Sequence, residues 1–357
     1  MGRTGRRRRI RPVTRDSGLA TVLSEVAAAT SLREGEEGVR AILAAVGRAG
    51  NIPLRDLARR VRMPVPVVSA VRRELEKRGL LDRSAGLALS EQGRDLVGIA
   101  PDEDPGCRCP ACDGEGIVIP ANFAPLLDRL REMARVRPGV DVKLDQSHAT
   151  PETALRRALY LRECEALDRD LLILGDDDLT SLAVGLLRSR TGGGGRLAVA
   201  ETDARLTAYL CHVSEAEGFG AEVCAHDLRD PLPGTLAGAF DAFLTDPPYT
   251  LEGLDLFVRR GVSALRSGAG RQAFIAFGPK SPDEQRGVLQ TLTDAGLGVV
   301  EMRPTFNRYD GAQMLAGVSG MIRAVTTSRV PATGGRYDGP LYTADKKRET
   351  ANGRRET

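Results

Sequence analysis

The sequence predicts an α/β protein: a Rossmann-like, doubly wound and mostly parallel sheet, preceded by an α+β winged-helix domain. Three observations carry this expectation. From about residue 155, short apolar runs alternate with helix-length segments, the pattern of a parallel sheet flanked by helices. Residues 36–98 read instead as three short helices followed by two short strands. A chain of 357 residues is also long enough for two domains, each burying a core.

In chain order, residues 1–16 hold seven arginines against Asp16, a net +6, and are expected to form a disordered basic tail. The opening "GRTGRRRRIRP" has no apolar stretch of the kind a secretion signal needs. The winged helix is expected within residues 20–100. "EGVRAILAAVGRAG" is apolar at helical spacing and ends at Gly50, and "IPLRDLARRVRMP" is a short second helix. "PVPVVSAVRRELEKRGLL" is a third, with Val67, Val68, Val71 and Leu75 on one side. "LLDRSAGLALSEQG" supplies two strands around a wing at residues 84–86. A third helix of this kind can read DNA. Here Arg72, Arg73, Lys77 and Arg78 are mixed with Glu74 and Glu76, so dimerisation or covering an active site is the preferred role.

Residues 101–120, "PDEDPGCRCPACDGEGIVIP", form a Pro/Gly-rich linker. Cys109 and Cys112 have zinc-knuckle spacing and Cys107 adds a third thiol. A structural zinc site needs a fourth ligand, for which Asp113, His148 or a neighbouring subunit would serve; the alternative is a tight turn with free thiols. Such crowding of three of the six cysteines suits a reducing compartment better than a disulfide framework. With no apolar run near the roughly 20 residues of a membrane span, a cytoplasmic protein is expected.

The catalytic domain is expected over residues 121–343, with strands at "LLILG", "RLAVAE", "AEVCAHD", "DAFLTD" and "RQAFIAFG" and a final hairpin of "LGVVEMRP" with "SGMIRAVTT". Residues 344–357 form a second basic tail of net +2, which leaves the body at −5. An acidic body disfavours nucleic acid as a partner, because a phosphate backbone demands net positive contacts.

Ligands of such sheets bind beyond the carboxyl ends of the strands. The first strand ends at Gly175 followed by Asp176, Asp177 and Asp178. The second offers Glu201 and Asp203, acids placed to hold ribose hydroxyls, and the third offers Asp227, placed to accept from an adenine amino group. The fourth ends in "TDPPYT". Its prolines, among them Pro247, stiffen the turn and present carbonyl oxygens. With Asp246 these can hold an amine nitrogen, and Tyr249 adds a ring face for a developing cation. Together the strand ends suggest an S-adenosyl-type nucleoside site.

The triple aspartate then selects between donors. S-adenosylmethionine carries a carboxylate on the arm that normally lies near the first strand's turn. Two like charges about 4 Å apart repel by about 4 kcal/mol at an effective dielectric near 20. A donor without that carboxylate ends in an ammonium, which these aspartates attract. Clustered acids also raise one another's pKa, which suits one of them to take a proton from an amine.

"CRCPACDGEG", "LDQSHATPETALRRA", "LGDDDLTSLA", "ETDARL", "AHDLRDPLP" and "TDPPYTLEGLDLFVRRG" resemble the branched-chain polyamine synthases, over residues 107 to about 280. The resemblance implies a class I methyltransferase-like fold and a homodimer. It implies aminopropyl transfer from decarboxylated S-adenosylmethionine to the secondary amine of spermidine, with methylthioadenosine leaving and no cofactor required. The family's Gly-Asp-Asp-Asp motif falls on Gly175 to Asp178, with Asp177 the expected catalytic acid. Asp176, Asp178 and Asp246 would complete an acidic cage, and Asp145 or His148 of "DQSHAT" would fold over the amine. "RPTFNRYDG" (303–311) is a further candidate wall of the acceptor site. "DPPY" also resembles motif IV of amino-methyltransferases acting on adenine and cytosine, so S-adenosylmethionine-dependent methylation of nucleic acid is the competing expectation.

Overall fold

The computed structural model describes residues 15–82, 87–98, 109–112, 114, 116–310, 317–331 and 334–342. The chain divides into two compact units, residues 1–105 and 106–357.

In the first unit, helices α1 (Arg15–Thr30), α2 (Gly35–Ala49), α3 (Leu54–Val61) and α4 (Val65–Lys77) precede an antiparallel pair, β1 (Leu81–Asp82) with β2 (Ala88–Leu89), and α5 (Glu91–Val97). The winged-helix order expected from sequence is present, with α1 added in front; it starts at Arg15, inside the stretch expected to be tail. Leu23, Val26, Val39, Ile42, Leu57, Val68, Val71 and Leu75 form the core. Val67, expected on the same face, is only half-buried. The expected wing tip, residues 84–86, lies outside the described residues. On α4, Lys77 and Arg78 both bind Glu74, and Arg72 pairs with Glu76. The helix thus neutralises most of its own cations.

The second unit is built on a seven-stranded sheet of order β5-β4-β3-β6-β7-β9-β8. Its strands are β3 (Leu171–Leu174), β4 (Leu197–Glu201), β5 (Glu222–Ala225), β6 (Ala242–Thr245), β7 (Gln272–Phe277), β8 (Leu297–Arg308) and β9 (Val318–Thr326). The first five run parallel; β9 lies antiparallel to β7, and β8 pairs with β9. Every residue of β3, β4, β6 and β7 is buried, as a sheet covered on both faces requires. The covering helices are α6 (Ala124–Val136), α7 (Pro151–Glu163), α8 (Thr180–Thr191), α9 (Ala204–Glu217), α10 (Leu251–Ala264) and α11 (Pro282–Asp294). Gly261 lets α10 lie on β6, because a Cβ there would stand 2.4 Å from the Phe243 ring. The chain runs from β3 outward through β4 and β5, then returns to the other side of β3 for β6 and β7. The switch point therefore lies at the carboxyl end of β3, where such folds open a ligand crevice. No helix among the described residues is long and apolar enough to cross a membrane.

Candidate active site

A cavity of about 790 Å³ opens at that switch point. Asp177 and Asp178 from the turn after β3, Glu201 from β4, Asp227 after β5 and Asp246, Pro247 and Tyr249 after β6 all line it. Asp145 joins them from the segment before α7, and Tyr309 and Asp310 from the end of β8. At the first turn Gly175 adopts φ +71°, a conformation that a side chain would strain.

The three adjacent aspartates occupy three different environments. Asp176 is buried, and its carboxylate turns away from the cavity to accept the Thr180 N–H at 2.7 Å and the Ser181 N–H at 3.1 Å. It holds the start of α8, and burial raises its pKa to about 7. Asp177 faces the cavity, with one oxygen accepting the Ser147 N–H at 3.2 Å. Burial, and then the charges of Asp178, Asp246 and Glu201, hold its carboxyl well above the ordinary range, against the lowering pull of Arg137. Asp178 accepts the Ala149 N–H at 2.5 Å and Arg157 Nη1 at 2.6 Å.

Arg157, on α7, was not singled out by the sequence reasoning. It is 1% exposed, and its guanidinium is engaged from every side. Nη1 donates to Asp178, Nη2 to Asp246 at 2.6 Å and to the Tyr309 hydroxyl at 3.2 Å, and Nε to Asn307 Oδ1 at 2.9 Å. Asp246 also accepts the Tyr309 and Tyr249 hydroxyls at 2.6 and 3.1 Å. Burial raises its pKa to about 6, with Arg157 opposing. The Tyr249 ring stands edge-on to Phe277, and its carbonyl accepts from Lys280 Nζ at 2.7 Å.

At the other end of the cavity, Glu201 stitches two turns together by accepting the N–H groups of Asp176 and Asp203, both at 2.8 Å. Burial raises its pKa. Asp227 accepts the Arg229 N–H at 2.9 Å and remains partly exposed at the cavity wall. Leu341 and Tyr342 complete this end.

Three expected site residues face elsewhere. Asp176 is drawn off by the α8 amides. Asp203 lies outside the lining: it caps α9 through the Arg205 N–H and pairs with the Arg205 guanidinium at 2.6 Å, which lowers its pKa to about 2. His148 is also outside the lining; burial and the nearby Arg137 charge lower its pKa to about 4, so the ring is neutral. The "DQSHAT" segment does fold over the acids, but with Asp145, Gln146 and Ser147 rather than His148 facing the cavity. Of the cysteine segment, Cys107 and Asp113 lie outside the described residues. The Cys109 thiol is exposed and held below its ordinary pKa by the Cys112 and Ala111 N–H groups; Cys112 is buried and accepts the Gly116 N–H. Among the described residues no group of three or more His, Cys, Asp or Glu is arranged to hold a metal ion. The two described thiols alone do not make a closed zinc set.

A carboxylate-floored crevice thus lies at the switch point of a doubly wound sheet. Residues 125–333 match the model of the branched-chain polyamine synthase A C-terminal domain, and residues 39–82 match a winged helix-turn-helix DNA-binding model. The chain is 34% identical to an N(4)-bis(aminopropyl)spermidine synthase of Thermus thermophilus over 82% of each chain. It is equally identical to an uncharacterized protein of Methanocaldococcus jannaschii, covering 88% of this chain and 80% of that one. The branched-chain polyamine synthase C9 mutein of Thermus thermophilus, solved with N4-aminopropylspermidine and 5′-methylthioadenosine, superposes with a TM-score of 0.77 at 30% identity. That match covers 94% of this chain and 99% of the other. The chain belongs to the branched-chain polyamine synthase family and is an aminopropyltransferase that makes branched polyamines.

Proposed function

We propose that the enzyme transfers aminopropyl groups from decarboxylated S-adenosylmethionine to the internal secondary amine of spermidine, releasing 5′-methylthioadenosine. The observation that carries this reading is the convergence of Asp177, Asp178 and Asp246 in one cavity, with Arg157 the one guanidinium paired to any of them among the described residues. Such a floor attracts ammonium groups and repels the carboxylate of S-adenosylmethionine. The ligands of the Thermus thermophilus structures, N4-aminopropylspermidine and 5′-methylthioadenosine, support the same pair of products here.

In this reading Glu201 and Asp227 hold the nucleoside, while Asp178, Asp246, Asp145 and the Pro247–Tyr249 turn hold the polyamine. The neutral amine attacks the aminopropyl carbon next to sulfur; a C–N bond forms and the C–S bond electrons remain on sulfur. Asp177 then takes the proton from the new ammonium. A second transfer to the same nitrogen, now tertiary, releases no proton, so it depends on positioning and charge stabilisation. The reading requires no cofactor for the transfer itself. The same reading carries a homodimeric cytoplasmic enzyme, which sedimentation would test for its dimer.

The deciding assay supplies either sulfonium donor with spermidine and follows methylthioadenosine and polyamine mass. Aminopropylated polyamine from the decarboxylated donor alone is expected. Methyl transfer from the carboxylated donor without aminopropyl product would refute the reading, and would favour the amino-methyltransferase alternative if nucleic acid were the acceptor.

A further inference from the structure

The acids of the cavity do not share their single buried guanidinium equally. Arg157 Nη1 and Nη2 point at different carboxylates, Asp178 and Asp246, each at 2.6 Å, while Nε is fixed by Asn307 Oδ1. Asn307 is in turn fully buried and held by the Ser319 hydroxyl and the Gly320 carbonyl through its amide nitrogen. The planar fork thus has one seating. Asp177 has no salt-bridge partner among the described residues; its carboxylate accepts one backbone N–H, and Arg137 reaches only its carbonyl. Arg157 itself does not line the cavity.

We infer that Arg157 is a positioning residue that divides the acid cluster: its fork holds the Asp178 and Asp246 carboxyl groups in place and leaves Asp177, outside that fork, as the carboxylate that exchanges a proton with substrate. This deepens the aminopropyltransfer reading and rests on it for the identity of that substrate. Asp178 and Asp246 are met by different nitrogens of a planar, permanently charged fork whose third nitrogen is anchored, a fixed geometry that a lysine ammonium on its flexible stem does not reproduce. Asp177 is also faced by Arg137, Glu201, Asp178 and Asp246, with Tyr309, Asp310 and Lys280 lining the same cavity. Without the fork, Asp178 and Asp246 act on Asp177 as uncompensated like charges, so Asp177 binds its proton more tightly.

The test is an infrared pH titration of the full-length protein, with the protonated-carboxyl band of Asp177 assigned by its loss in Asp177→Asn. In Arg157→Lys that band should titrate about one pH unit higher than in wild type. The acid limb of the kcat profile for spermidine should move with it, while 5′-methylthioadenosine binds within about threefold of wild type, since Asp227 and Glu201 are untouched. Asn307→Leu, which removes the anchor of Nε but keeps the guanidinium charge, should shift the band the same way by less, and stands in if the lysine variant does not fold. An unmoved band in both variants, or a rate reduced by one factor at every pH, overturns the assignment. A wild-type enzyme that transfers no aminopropyl group refutes the functional reading instead, and the infrared titration still decides the charge division.

Discussion

Three consecutive aspartates perform three tasks because the backbone between β3 and α8 turns sharply. Leu179, with φ +59°, ends the turn in a left-handed conformation, and the three side chains point to the helix amides, the cavity and Arg157. Of the three, only Asp177 combines access to the cavity with the absence of a salt-bridge partner among the described residues. Asp177→Asn should therefore lower turnover by about 10²-fold or more, the scale of a lost general base. Its melting temperature and methylthioadenosine affinity should stay near wild type. Near-normal turnover in this variant would move the proton acceptor to another acid. Because the Asp177 carboxyl is held above the ordinary range and must be ionised to accept a proton, activity should fall as pH drops through that raised value. Asp177→Asn should remove this limb and leave the one set by the amine itself.

Elements explain why some expected residues left the site. A helix begins with unsatisfied N–H groups, and an acid within reach is drawn to them. Asp176 serves α8 in this way and Asp203 serves α9. Asp176→Ala should cost about 1–2 kcal/mol of stability, measured by denaturant unfolding, with the Km for spermidine little changed. A large Km effect with intact stability would return Asp176 to the substrate cage. The opposite error was made on α7. Arg157 lies among Ala154, Leu155, Ala158 and Leu161, all buried, so an arginine stood on the apolar face of that helix. A charge on a core-facing stripe is a signal that a buried partner exists, and it was present in "ETALRRALYL". What the helical pattern lacked was the identity of the partners, which come from residues 178, 246, 307 and 309.

At the scale of the molecule, the site is acid held under strain by burial. Asp176 and Asp246 have folded pKa values of about 7 and 6, and Asp177 and Glu201 are raised as well. All exceed the values of unfolded carboxyls near 4. Between these limits the folded state binds more protons than the unfolded one, so this contribution to stability is present at low pH and is lost as pH rises through the folded values. The substrate-free protein should thus lose melting temperature from pH 6.5 to pH 8. Spermidine, by neutralising the ionised acids, should raise the melting temperature more at pH 8 than at pH 5.5. An equal or smaller spermidine effect at pH 8 would argue against an acidic acceptor site. Asp203, lowered to about 2, titrates below this window; His148, lowered to about 4 from an unfolded value near 6.5, adds stability only as pH rises to that unfolded value, and so also acts below it.

The strands of the sheet and the acids at their carboxyl ends are legible in the sequence, but the order of the strands is not. Length and apolar runs mark β3, β4, β6 and β7, whose residues are all buried, and turn chemistry sets "GDDD" after β3 and "DPPY" after β6. "RPTFNRYDG" was marked as a wall without a place; Asn307 and Tyr309 acquire one only when β8 pairs with β9 and brings them to Ser319. Which acids face the cavity is set by tertiary packing. Carboxylates compete for helix amides, a guanidinium and solvent, and that competition is settled by distances between elements far apart in the chain. Sequence spacing lists the competitors, and packing assigns the partners.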